Sequence, residues 1–432
     1  MQLEADFGGE AFRGGMLAAA RRAPLAALLF VVLLTMPPET SVKLGELRIS
    51  PYRWVLLATL PGALYALLLT RREKLTLVDM LVGAHAVWVV VAIWAVHDAG
   101  KAAASGGIYV VESMGAFLLA RMHIRTAEQF RSVVGVLAVC VLAMMCASIP
   151  EMLTGTHYAR DFARSILGGA PPEEMSKRLG LTRAYGPFEH PILYGIFCAA
   201  SIGLTRVAFP AGRGFGVWPA VRTGLLFLAT FASVSSGAMA VAAIQLAMIA
   251  WERATGRLRG KWWVLAAVCL AGVMAVSATS SRSPVAVLIT TLSLSPETGY
   301  MRMEIFNYGS AEVVRNPWWG IGFNDWERPD WMPDTGSVDN FWLLTAMRFG
   351  LPALIFLAVA MGVVVFRAGR AGLDGETGRL RSAVLIALVG IGLAGCTVHF
   401  WNALFSLFFF LLGSAAWTWR NDIDSLTNGE EK

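Results

Sequence analysis

The chain has 432 residues, 56% hydrophobic and 15% charged, with a formal net charge of +6. That composition is too apolar for a soluble domain, and the basic residues stand in short clusters between apolar runs, so the charge marks membrane topology and not a nucleic-acid footprint. The five cysteines lie inside apolar runs without a CxxC, and the six histidines form no HxH or HxxxH pair, so no disulfide framework, metal or cofactor is expected.

In chain order, Arg21 and Arg22 precede an apolar run from Pro24 to Met36. Met36-Pro37-Pro38-Glu39 follows instead of a cleavage site, so the run reads as a retained first span. Runs of spanning length fall near 17–36, 52–70, 75–96, 106–121, 132–150, 187–205, 218–234, 237–251, 262–280, 341–366, 382–398 and 402–419. The expected fold is therefore all-α, a polytopic protein of about 12 transmembrane helices with residues 1–432 as one integral domain. With both termini cytoplasmic, the clusters around Arg71, Arg125, Arg213, Arg257 and Arg379 fall on the cytoplasmic side, as the positive-inside rule asks. Two longer loops, 151–186 and 281–340, then lie on the far side, and the second is aromatic and patterned enough to carry function.

The smaller loop is expected to hold a helix over Tyr158–Leu167, the breaker Gly168-Gly169-Ala170-Pro171-Pro172 and a second short helix from Glu173 to Leu179. It ends in Arg183-Ala184-Tyr185-Gly186-Pro187-Phe188-Glu189-His190-Pro191, at the mouth of the sixth span. A guanidinium beside a glycine turn and a Glu189-His190 pair suits an anionic ligand at the membrane surface; the plain alternative is an interfacial turn whose polar groups meet water.

In the main loop, Ser283–Leu294 is short and apolar, fit for a helix lying at the membrane, and Gly299–Asn316 has helical spacing. On that helix Arg302, Ile305, Phe306, Gly309 and Val313 share a face, which would aim Arg302; otherwise it is a solvated surface arginine. Gly320-Ile321-Gly322 is a turn, since it lacks the third glycine and the preceding strand of a dinucleotide site. Trp318, Trp319, Trp326 and Trp331 either stack on sugars or anchor the loop at the interface. Asp339-Asn340 opens the tenth span as a site or as a helix cap. Arg348, seven residues into that span, is a site candidate because charge at that depth needs a partner or a wet cavity; Asp79 and His85 are weaker candidates of the same kind.

The chain resembles the O-antigen ligase/polymerase family, the Wzy-type polymerases and lipid A-core ligases of bacterial envelopes. The resemblance rests on Arg183-Ala184-Tyr185-Gly186-Pro187-Phe188, Ser235-Ser236-Gly237, Arg302, Asn316-Pro317 with Gly320-Ile321-Gly322, and Asp339-Asn340 with Phe349-Gly350-Leu351. Two departures stand out: the family often has Ser-Arg-Gly at Ser235-Ser236-Gly237, and ligases carry His-Asn at Asp339-Asn340, which favours a polymerase over a ligase.

The resemblance implies a GT-C-like, metal-independent glycosyltransferase of the bacterial inner membrane acting on undecaprenyl-pyrophosphate-linked oligosaccharides, with a flippase and a chain-length regulator as pathway partners. Under it, Arg183 and Arg302, with Arg348 or Arg282 as a third, would face the pyrophosphate. Asp339, or Glu189 with His190, would orient or deprotonate the acceptor hydroxyl, and Trp318, Trp326 and Trp331 would meet sugars. A secondary transporter and a non-catalytic envelope scaffold are the alternatives from other classes.

Overall fold

The computed structural model describes residues 23–45, 47–70, 74–173, 175–209, 217–256, 258, 260–280, 287, 296–332, 338–370 and 375–419. Each of the twelve expected apolar runs falls on a helix. Eight of these helices are long and apolar enough to cross a membrane: α2 (Pro51–Leu64, continuing to Leu69), α3 (Leu77–Val96), α4 (Ala99–His123), α5 (Ala127–Thr154), α7 (Pro191–Ala208), α10 (Lys261–Thr279), α12 (Phe341–Arg370) and α13 (Gly375–Ala394). The other four runs form α1 (Leu25–Leu33), α8 (Val217–Phe231), α9 (Ser236–Ala254) and α14 (Asn402–Ser414).

Among the described residues, two further α-helices lie in the loops, α6 (Tyr158–Leu167) and α11 (Pro296–Arg315). Two features depart from expectation. A small antiparallel hairpin joins β1 (Val42–Leu44) to β2 (Leu47–Ile49) in an otherwise helical fold. The second short helix of the smaller loop is replaced by a tight turn: Arg178 and Leu181 exchange backbone hydrogen bonds of 3.0 and 2.9 Å, with Leu179 and Gly180 both in the left-handed region that a helix cannot use. The expected helix over Ser283–Leu294 lies outside the described residues except Val287.

The bundle is built around α7, of which 89% is buried; it packs on α8, α9 and α13. By contrast α10 is 6% buried, and touches the bundle chiefly at its foot, where Lys261 pairs with Glu252 at 3.5 Å and Trp263 meets Phe366 edge-on. Asp79 and His85 prove to be structural ties. Asp79 completes a capping box with Thr76 and pairs with Arg121 at 3.0 Å. His85 donates through Nδ1 to the Ala353 carbonyl at 2.8 Å, which leaves Nε2 to accept from the Tyr109 hydroxyl at 2.9 Å.

The feature that positions the site is a break in α12. Pro352 has no N–H to offer the Arg348 carbonyl one turn back, and Gly350 leaves the helical region entirely (φ 80, ψ 170). Backbone freed inside an apolar bundle must find new partners, and every one comes from afar. Ile321 N–H donates to the Met347 carbonyl at 2.8 Å and Gly322 N–H to that of Arg348 at 2.9 Å, while Leu351 N–H donates to the Pro317 carbonyl at 2.7 Å. Trp88 Nε1 supplies the Phe349 carbonyl at 3.0 Å. Asn316-Pro317, Gly320-Ile321-Gly322 and Phe349-Gly350-Leu351 are therefore one structural knot.

A Cβ at Gly350 would stand 1.8 Å from the Trp318 carbonyl oxygen, whereas one at Gly362, further along the same helix, meets nothing within 4 Å. Gly350→Ala is expected to prevent accumulation of folded protein, and Gly362→Ala to be neutral or to stabilise by about 0.5–1 kcal/mol. Yield and thermal unfolding of the purified variants check this.

Candidate active site

The end of the bundle that holds the broken helix also gathers both long loops and the link between α13 and α14. Arg183 is placed there by Glu151, a fully buried carboxylate at the end of α5. Its Oε1 accepts from Tyr185 N–H (2.8 Å) and His157 Nδ1–H (2.6 Å), and its Oε2 from Gly186 N–H (3.1 Å). Thr182 N–H donates to the Met152 carbonyl, Ala184 N–H to that of Ala232, and the Tyr185 hydroxyl to that of Glu173, so the segment is tied on three sides. Glu151 was missed in the sequence, although an acid directly after Pro150 at the end of an apolar run is a signal of a kind.

Arg183 is buried with its Nη1 against Met175 Sδ at 3.2 Å, and among the described residues its Nε has no hydrogen-bond partner. Burial, then the neighbouring charge of Arg178, lowers its guanidinium to about 10, so it stays a cation at neutral pH. Arg302 reaches the same place from α11. Gly309 of that helix lies against Leu343 and Met347, and Val313 joins a cluster with Leu343, Leu344 and Met347, so α11 is packed on the first half of α12 and Arg302 is buried rather than solvated. Its Nε stands 3.8 Å from Asp339 Oδ2, and burial lowers its affinity for the proton against the pull of that carboxylate. Arg178 acts on both Arg183 and Arg302, and Asp339 on the same two, so three cations and one aspartate share this neighbourhood. Three cations to one carboxylate leave a surplus of positive charge suited to a multiply charged anion.

Asp339 is not the helix cap. Asn340 takes that role, its Oδ1 accepting from Leu343 N–H at 2.9 Å, which leaves the Asp339 side chain 45% exposed beside Arg302. His190 caps α7 through Nδ1, which accepts from Ile192 N–H at 3.1 Å. A neutral ring with that lone pair engaged carries its proton on Nε2, so His190 can donate a hydrogen bond but is not placed to take a proton. Glu189 accepts from Asn402 Nδ2 with both oxygens at 2.7 Å, and Asn402 Oδ1 accepts from Arg53 Nη2 at 3.0 Å.

Arg348 does not join the arginine cluster. It lies in a separate cavity, its guanidinium over the Phe323 ring at 5.3 Å and its charge acting on His399. Arg282 lies outside the described residues. Of the tryptophans, Trp318 and Trp331 are exposed, Trp319 stacks on Trp88 at 4.9 Å, and Trp326 is buried in the core of the main loop, where its ring is packing and not an open platform. Among the described residues no three His, Cys, Asp or Glu side chains could together hold a metal ion.

Two outcomes follow from this geometry. Glu151→Gln turns one acceptor into a donor facing an N–H, so the turn should loosen and trypsin should cut after Lys177 or Arg178 faster than in wild type, with the rest of the chain equally resistant. The second concerns pH. Burial, then Arg183 and Arg178, lower the His190 imidazole to about 4. The unfolded chain takes up a proton near the ordinary value of about 6.5, so the stability contributed by this neutral ring is complete above that pH and is lost as pH falls toward about 4. Asparagine can cap without titrating, so His190→Asn should lose less thermal stability than wild type between about pH 7 and about pH 5.

A search among curated proteins found no match to the chain. Residues 223–358 match the family model Wzy_C, described as O-Antigen ligase. That stretch runs from α8 past the break in α12 and includes Arg302, Asp339, Arg348 and the whole knot, while Arg183, Glu189 and His190 lie ahead of it. The match bears out the resemblance to the O-antigen ligase/polymerase family over the segment that builds the second half of this site.

Proposed function

We propose that the protein is a polysaccharide polymerase that transfers a glycan from a polyprenyl pyrophosphate to a sugar hydroxyl of a second lipid-linked repeat unit. The observation that carries this reading is the convergence of Arg183 and Arg302 on Asp339 from two loops far apart in sequence. In the reaction the bond between the donor sugar's anomeric carbon and the pyrophosphate oxygen breaks, the electron pair leaves with the pyrophosphate, and the acceptor oxygen forms the new glycosidic bond. The leaving group gains negative charge as it departs, and fixed guanidinium forks stabilise that charge without needing to deliver a proton. Asp339 holds and polarises the acceptor hydroxyl, whose proton passes to the carboxylate or to the departing pyrophosphate. No step calls for a metal. An aspartate where ligases of the family carry histidine favours repeat-unit polymerisation over ligation to lipid A-core.

The same reading puts the protein in the bacterial inner membrane with both termini cytoplasmic. The bundle end opposite the site carries Arg121, Arg125, Arg131, Arg206, Arg367 and Arg370 near its helix ends, in keeping with the positive-inside rule. A flippase that delivers the lipid-linked unit and a regulator of chain length would be its pathway partners.

Purified protein in nanodiscs, supplied with lipid-linked oligosaccharide, should extend it. Arg183→Ala and Arg302→Ala should each reduce transfer by about 100-fold or more without a change in thermal stability, and lysine at either place should restore little. Asp339→Asn should be similarly impaired, whereas Asn340→Ala should cost about 1 kcal/mol of stability through the lost cap. Full-rate transfer by both arginine-to-alanine variants would remove the pyrophosphate role.

A further inference from the structure

Around Arg348 the bundle lines a part-open cavity of about 160 Å³, which the proposed transfer does not use. Its walls combine aromatic rings, among them Tyr109, Phe323 and Trp401, with the polar groups of Glu112, Arg348 and His399. Rings and hydrogen-bonding groups in one small chamber are the chemistry that receives a sugar, whose faces are apolar and whose edges are hydroxyls.

The charge in this chamber narrows the choice. Glu112 sits in a π-helical turn of α4 and is already engaged: Arg53 Nη2 lies 2.9 Å from its Oε1, and the Tyr52 hydroxyl donates to the same oxygen. Arg348, by contrast, has no ion-pair partner among the described residues and lies over the Phe323 ring. A cation in a membrane helix without a counter-ion is costly unless it faces a wet cavity or a ligand. His399 adds no second charge, since burial and then the charge of Arg348 lower its imidazole to about 3. With Glu112 matched by Arg53, and Glu189 held behind the wall by Asn402, Arg348 is the lining cation left without an ion pair among the described residues. That suits a monoanion such as a carboxylate; a pyrophosphate, with more charge, is better matched by the arginine cluster.

The chamber also adjoins the site. Trp401 stands with its ring centroid 5.3 Å from that of His399 and 6.0 Å from that of His190, and Asn402, on the chamber wall, holds Glu189. We propose that this cavity is a glycan subsite for an acidic sugar, a hexuronic acid whose carboxylate pairs with Arg348, and that the protein's glycan substrate carries such a residue. This rests on the glycosyl-transfer reading above, but its test needs no turnover.

The test uses the full-length protein in nanodiscs and ligand-detected NMR with methyl β-D-glucuronide, methyl β-D-glucoside and inorganic pyrophosphate. The glucuronide should bind about tenfold more tightly than the glucoside. Arg348→Gln should bring the two within about twofold, and Arg183→Ala/Arg302→Ala should keep the preference while weakening pyrophosphate. Should Arg348→Gln fail to fold, Arg348→Met, which keeps an apolar stem beside Phe323, is read in the same way. Equal binding of the two sugars, no binding of the glucuronide, or a preference that survives loss of Arg348 overturns the proposal. So does pyrophosphate that displaces the glucuronide only when Arg348 is present, which would make the chamber a phosphate site. Loss of lipid-linked transfer with the sugar preference intact would instead count against the proposed reaction alone.

Discussion

Hydrogen bonds across the break in α12 hold the site together. A membrane helix that stops at Gly350 and restarts at Leu351 leaves polar backbone with no water to satisfy it, and Ile321, Gly322, Pro317 and Trp88 make good that loss. The cost of leaving those groups unpaired fixes the main loop against the bundle more firmly than side-chain packing alone could. Both Arg302 and Asp339 take their positions from elements that meet this junction, and Arg348 is carried on the last turn before it.

On the other side of the site the same principle works through a side chain. Glu151 replaces the partners that the turn over Tyr185 and Gly186 would otherwise seek in solvent, and in doing so it holds Arg183 buried. A buried arginine costs energy, and here the charge of Asp339 offsets part of that cost. The arrangement resembles other anion sites in being prepaid: the cations are gathered before any anion arrives, so little reorganisation is needed when charge develops.

The helices could be read from apolar runs because bilayer thickness demands them. Arg183, Arg302 and Asp339 are singled out by the family resemblance, since the residues alone leave each with a plain alternative, an interfacial turn, a surface arginine or a helix cap. The pairing of Gly320-Ile321-Gly322 with the break could not be read, since it joins backbone atoms, and backbone carries no residue-type signal. Asn402 bonds to Glu189 across 213 positions and Glu151 to Tyr185 across 34, separations at which a single sequence holds no periodicity to follow. The hairpin at Leu179-Gly180 defeated a helical reading because one glycine and its neighbour in the left-handed region outweigh the propensity of the residues before them. Trp326 looked like its neighbours in composition, and only the packing of Val313, Met332 and Val338 around it marks it as core.

The slight attachment of α10 has a consequence for where this protein is stable. Most of its side chains face outward, toward whatever surrounds the bundle, and its first turns are what α9 and α12 grip. Lipid chains must therefore do for this helix what neighbouring helices do for α7, and its tilt answers to the thickness of the surrounding bilayer. A thinner or thicker bilayer should therefore be felt first at α10 and last at α7, which its neighbours enclose.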